Sequence, residues 1–289
     1  MPGPGACPHA EPAGPVEEGG PYNRRFRPGT RRAGHKGRAL NDPQPQPDRP
    51  TGFERFRFDP SAPVLPFHRE LSQLRRRLIR SANVAIDMLE AALYALWNTD
   101  HDVAREIRRR DDGVDDEEVR IEQACFRLLT LQQPYGQDFR LLTFCLKVNA
   151  DIERVADHAT SIAKVALRVD PQNPPRWPVS LVEIGDRVPV MCHDLLKAVL
   201  NEDVEAARAL LKGDSVIDRL DRRLFDEITA WIRDDPSVVE QGLLAYRLGR
   251  ELERVGDLLG NIAEDVVYLA TGEIIRHQRD DKPLPETPA

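Results

Sequence analysis

Cysteine is scarce in this chain. Its 289 residues hold four, Cys7, Cys125, Cys145 and Cys192, and none lies in a Cys-x-x-Cys pair. That spacing argues against a disulfide framework or a thiolate site. It predicts small buried hydrophobes in a reducing compartment instead. No apolar stretch approaches the roughly 18–20 residues that a membrane span needs. The N-terminus is rich in proline and glycine and lacks the apolar core of a secretory signal. Also missing are a Gly-rich phosphate cradle, a Walker motif and a nucleophile elbow. There is no Glu-x-x-His anywhere, which removes the usual ligand pattern of a carboxylate-bridged di-iron enzyme. The formal net charge of −7 is modest and argues against a nucleic-acid partner.

What remains is highly charged and periodic. Charged residues make up 31% of the chain and hydrophobic residues 40%. That mix suits helices with wide solvated faces. Residues 1–66 hold 14 of the 24 prolines. Such a segment buries too little apolar surface to offset the cost of ordering it, so a disordered extension is expected. Its basic run, Arg24 to Arg38, is read as a solubilising tail. Residues 278–289 are expected to be a loose tail.

From Phe67 the apolar residues return every three or four positions. The spacing predicts a helix from Phe67 to Trp97, a second capped by Asp100 and running to Leu131, and a third from Asp138 to Val169. Pro134 and Gly136 force a turn before the third. Asp170 to Pro178, with four prolines, reads as a linker. A fourth helix then spans Val179 to Leu200 and a fifth Asp203 to Arg233. A sixth opens on Asp235-Pro236 and stops near Gly272. The expected fold is all-α: two tandem antiparallel three-helix bundles over 67–172 and 179–277.

The halves resemble each other. Asp151-Ile-Glu-Arg-Val-Ala-Asp157 matches Glu251-Leu-Glu-Arg-Val-Gly-Asp257, and both continue to Ile-Ala at 162–163 and 262–263. Upstream, Asp111-Asp-Gly-Val-Asp115 aligns with Asp214-Ser-Val-Ile-Asp218. Each half therefore carries two acidic pairs four residues apart, on different helices: Asp111/Asp115 with Glu153/Asp157, and Asp214/Asp218 with Glu253/Asp257. Residues four apart share a helix face. Like charges at that spacing cost an isolated helix about 0.2–0.5 kcal/mol, and more beside a low-dielectric core. Glu153 and Asp157 flank the apolar Ile152 and Ala156 and are expected at the edge of the core, out of solvent. Something positive should offset the charge. Arg154 and Arg254 are the plain candidates, through surface ion pairs. A hard or borderline cation is the sharper one, because four carboxylates from two facing helices make an oxygen-rich donor set.

Glu118 and Asp221 continue the acidic faces and are read as outer ligands. Glu122 is not duplicated, since Phe225 takes its place. Asn149 and Asn261, one turn from the paired carboxylates, are candidates to hydrogen-bond a ligand. His101, His158, His193 and His277 are read as structural or exposed.

Leu131-Gln-Gln-Pro134, Asp138-Phe-Arg140 and Asp151-Ile-Glu-Arg-Val-Ala-Asp-His158 closely resemble the PhoU family of phosphate-transport regulators. Glu251 to Asp257, Asn261-Ile-Ala-Glu264 and Thr271-Gly272 resemble the family's second repeat. The likeness covers residues 67–277. It implies two three-helix bundles, a cytoplasmic protein and a homodimer. It implies metal centres at the four acidic pairs, with iron, manganese, magnesium or zinc as candidates. It implies a negative regulator acting between the ATPase subunit of the phosphate ABC transporter and its sensor histidine kinase, and reaching the membrane only through them. The chain departs from the family pattern at Leu258 and Ser161, and its second repeat has no Gln-Gln-Pro turn. These departures imply that the two sites differ in metal occupancy. The alternatives are a helical adaptor whose carboxylates are ordinary surface charge, and a di-iron enzyme.

Overall fold

The structure is a computed structural model, and it describes residues 67–275. The expectations for residues 1–66, including the basic run and Cys7, and for His277 and residues 278–289, lie outside the described residues. Among the described residues the chain forms six α-helices and no strand. They are α1 (Phe67–Asn98), α2 (His101–Gln132), α3 (Gln137–Ala166), α4 (Val179–Asn201), α5 (Val204–Asp234) and α6 (Val239–Thr271). None of them is long and apolar enough to cross a membrane.

The first two helices of each half are joined by the same device. Thr99 and Glu202 each take a left-handed backbone with φ of 51°. The aspartate after each of them caps the next helix. Asp100 Oδ1 accepts from the amides of Asp102 and Val103, and Asp203 Oδ1 accepts from that of Ala206. These bonds satisfy amides that a helix start leaves without partners. α2 ends as Gln133 turns left-handed (φ 43°) and donates to the Leu129 carbonyl. Gly136 then adopts a φ of 61°, which a side chain would resist.

Two boundaries differ from the sequence expectation. Asp235 does act as a cap, but of one short 3-10 turn (Pro236–Val238), and α6 begins only at Val239. α3 stops at Ala166, three residues early. Arg168 and Val169 there donate to the carbonyls three residues back, in the tighter 3-10 pattern. The Val169 carbonyl contacts His101 Nε2 at 3.0 Å.

α1, α2 and α3 pack as one bundle and α4, α5 and α6 as another. α3 also packs on α6, and α1 on α4. The buried stripes of α3 (Val148, Ile152, Val155, Ala159, Ile162) and α6 (Leu248, Leu252, Val255, Leu259, Ile262) repeat at the same offsets. Cys125, Cys145 and Cys192 are buried and free, and burial pushes their thiols up. Polar ties fix the seam between halves. Lys147 Nζ reaches Asp265 Oδ1 at 3.0 Å, His158 Nδ1 meets Glu251 Oε2 at 2.7 Å, and Arg140 donates to the Leu269 carbonyl. His158 is therefore a structural residue of the seam.

Candidate functional site

α2 and α3 lie antiparallel. Val114 and Ile121 anchor the inner face of α2, while Ile152, Val155 and Ala156 anchor that of α3, all buried. The acidic residues sit beside these anchors, so the packing that hides the apolar stripe also sets the carboxylates along one seam. Asp111, Asp115 and Glu118 line it from α2. Thr160, Asp157, Glu153 and Asn149 line it from α3, in the opposite order.

The electrostatics report the convergence. Burial raises the Glu153 carboxyl first. The nearby charges of Asp157, Glu118 and Asp115 push it further, to about 7, against a partial pull from Arg154. Asp115 is raised by burial and then by Asp157, Asp112 and Asp116. Glu118 is raised by burial, Glu122 and Asp115. Asp111 is raised by burial, with Asp157 and Asp115 adding to it, while the Thr160 hydroxyl and Lys164 oppose. Like charges held together always favour the protonated form. α2 and α3 thus bring Asp111, Asp115, Glu153, Asp157 and Glu118 within reach of one another's field.

Three expectations change in detail. Asp157 is exposed and only Glu153 is half-buried, because Asp157 lies one step further round α3 toward solvent. Arg154 does not turn into the seam; its Nη1 pairs with Asp151 at 3.0 Å. Asn149 bonds no ligand carboxylate. Its Nδ2 donates to the Glu118 backbone carbonyl at 2.9 Å and ties α3 to α2.

The second half is arranged differently. Glu253 is half-buried, and Asp218 and Asp257 are exposed. Asp214 lies on α5, and its side chain is outside the described residues. Burial and Asp257 raise the Glu253 carboxyl, and Arg250 lowers it. Arg250 Nη1 stands 3.1 Å from Glu253 Oε1 and 3.7 Å from Asp221 Oδ2. Asp221 therefore belongs to this cluster, as an ion-pair partner. Arg254 is exposed and acts on Glu251, and Asn261 is exposed. Sequence reasoning passed over Arg250 and Thr160. Both were legible as residues three positions from a paired carboxylate, on the same helix face.

The donor chemistry of the first seam fits a hard cation. Arg154 and Lys164 offset its carboxylates only in part, and a buried oxygen beside them, Asn149 Oδ1, has no hydrogen-bond partner among the described residues. Among the same residues, however, no three His, Cys, Asp or Glu side chains stand in metal-ligating geometry. Asp115 and Asp157 would have to swing inward, which exposed side chains do at little cost.

Known proteins share this architecture. A crystal structure of PhoU from Pseudomonas aeruginosa superposes with a TM-score of 0.69 at 30% identity, over 72% of this chain and 100% of that one. The phosphate transport system regulatory protein PhoU from Streptococcus pneumoniae gives 0.67 at 29% identity, over 72% and 99%. The phosphate-specific transport system accessory protein PhoU homolog of Pseudomonas putida is 32% identical over 212 residues, 73% of this chain and 83% of that protein. The phosphate-specific transport system accessory protein PhoU of Escherichia coli K12 is 29% identical over 216 residues, 75% and 90%. These relatives bear the names of accessory and regulatory proteins, not of enzymes. The PhoU domain model matches twice, at residues 78–166 and 181–266. With both of its repeats matched and its helices superposed on solved relatives, this chain belongs to the PhoU domain family.

Proposed function

We propose that this protein is a negative regulator of phosphate uptake and phosphate-responsive signalling. It has the phosphate-transport accessory role of its family. In the finer reading it works in the cytoplasm as a homodimer, between the ATPase subunit of the phosphate ABC transporter and its sensor histidine kinase. The observation that carries this reading is the double PhoU match, covering both bundles. Deleting the gene tests it. Phosphate-regulated transcription should stay on in phosphate-replete medium and intracellular phosphate should rise. If neither changes, the reading falls.

Asp115, Glu118, Glu153 and Asp157 would hold a divalent or trivalent cation, iron, manganese, magnesium or zinc, with Asp111 behind them. A cation there supplies positive charge that offsets the crowding felt by Glu153 and fastens α2 to α3. Replacing Glu153 and Asp157 together by alanine should remove bound metal, measured by elemental analysis, and weaken partner binding. A second reading, an adaptor without metal, is favoured by the lack of any three metal-ligating side chains in suitable geometry among the described residues. It expects the double variant to bind partners as before.

A further inference from the structure

The geometry points to a division of labour between the two acidic clusters: Arg250 serves as the built-in cation of the second, and suppresses metal binding there. This rests on the reading of the first cluster as a cation site. Arg250 comes from α6 and bridges Glu253 on α6 to Asp221 on α5. It therefore joins the same two helices that a metal would join. Its side chain is 37% exposed, while those of Asp221 and Glu253 are only 22% and 17% exposed, so much of this pairing is shielded from water. Shielded pairs keep more of their Coulomb attraction than open ones.

The repeat shows why the first half lacks this device. Glu153 and Glu253 are equivalent, which places Ala150 at the position of Arg250. Phe225, at the position of Glu122, also removes one anion from the second face. Phe225 packs edge-on against Tyr246 with ring centroids 6.3 Å apart, on the same two helices. The second cluster thus gains a cation at Arg250 and loses an anion at Phe225. Glu253 Oε2 has no hydrogen-bond partner among the described residues. A metal can therefore still compete for Glu253, but only by displacing Arg250.

Titration of the metal-stripped full chain with Mn²⁺, monitored by calorimetry and by electron paramagnetic resonance of free Mn²⁺, tests this. The wild type should show one class of site, lost in E153Q and kept in E253Q. R250M should reveal a second class, at least about tenfold tighter than any binding there in the wild type, the factor that about 1.4 kcal/mol of binding energy represents. R250M/E253Q should lose that class again. R250K keeps the charge and should behave as wild type, which separates the charge from any folding defect read by circular dichroism. Two equal classes in the wild type overturn the inference, and so does an unchanged R250M, while the first-cluster reading stands. Mn²⁺ binding by R250M alone supports the role of Arg250 and sinks the first-cluster reading. No binding by either protein sinks both.

Discussion

The two bundles share a plan and differ in how their acidic helices are fastened. In the first, Asn149 reaches from α3 to the Glu118 carbonyl on α2. In the second the equivalent residue is Gly249, and a Cβ there would collide with the Leu224 side chain. One pair of helices is tied by an amide; the other is pressed together. In the first seam the carboxylates face one another with Arg154 turned aside, and in the second Arg250 stands among them. Duplication preserves the apolar stripe, because the core depends on it. The polar edge is free to diverge, and it has.

Exchanging residues between equivalent positions sharpens this comparison. The largest effect belongs to the stripe. Leu248 is fully buried, and Leu248→Ala should cost about 2–5 kcal/mol, lost transfer energy plus a cavity. Its smaller mate Val148 should cost less on truncation to alanine. Urea unfolding of both measures the difference, and equal losses would show that the two stripes are not packed alike. Next comes Gly249→Asn, which puts the first half's residue into the second. Overpacking against Leu224 should cost about 1–3 kcal/mol. The converse loss, Asn149→Ala, removes one hydrogen bond and should cost about 1 kcal/mol. If Gly249→Asn is neutral, close approach is not what holds α5 to α6.

The remaining effect is in pH. Glu153 has a higher pKa in the folded chain, about 7, than the ordinary 4.5. The native state therefore holds that proton longer than the unfolded chain. Its contribution to stability is complete below about 4.5 and is lost as pH rises through about 7. Metal-free protein should grow less stable across that window, and Glu153→Gln should flatten the slope. Glu253 is raised too, but Arg250 opposes the shift, so Glu253→Gln should change the slope less. A larger change at Glu253 would reverse the comparison.

Most of the fold was legible, and for a physical reason. Helix starts at Asp100 and Asp203, the turn at Pro134 and Gly136 and the stop at Gly272 depend on nearby residues, and the apolar stripes repeat with the helix period. The start of α6 was misplaced because Asp-Pro opens a 3-10 turn as readily as an α-helix. The acidic pairs, too, could be placed on helix faces from spacing alone. Which side chains turn toward the seam could not.

By itself, then, the sequence determined the six helices, their duplication and the four acidic pairs, since each arises from contacts within a few turns of chain. Only the tertiary structure decided that Arg154 turns away while Arg250 turns in, that Asp157 lies exposed beside a half-buried Glu153, and that His158 locks the two halves together. Those outcomes depend on which helix faces which, and a charge finds its partner across space rather than along the chain.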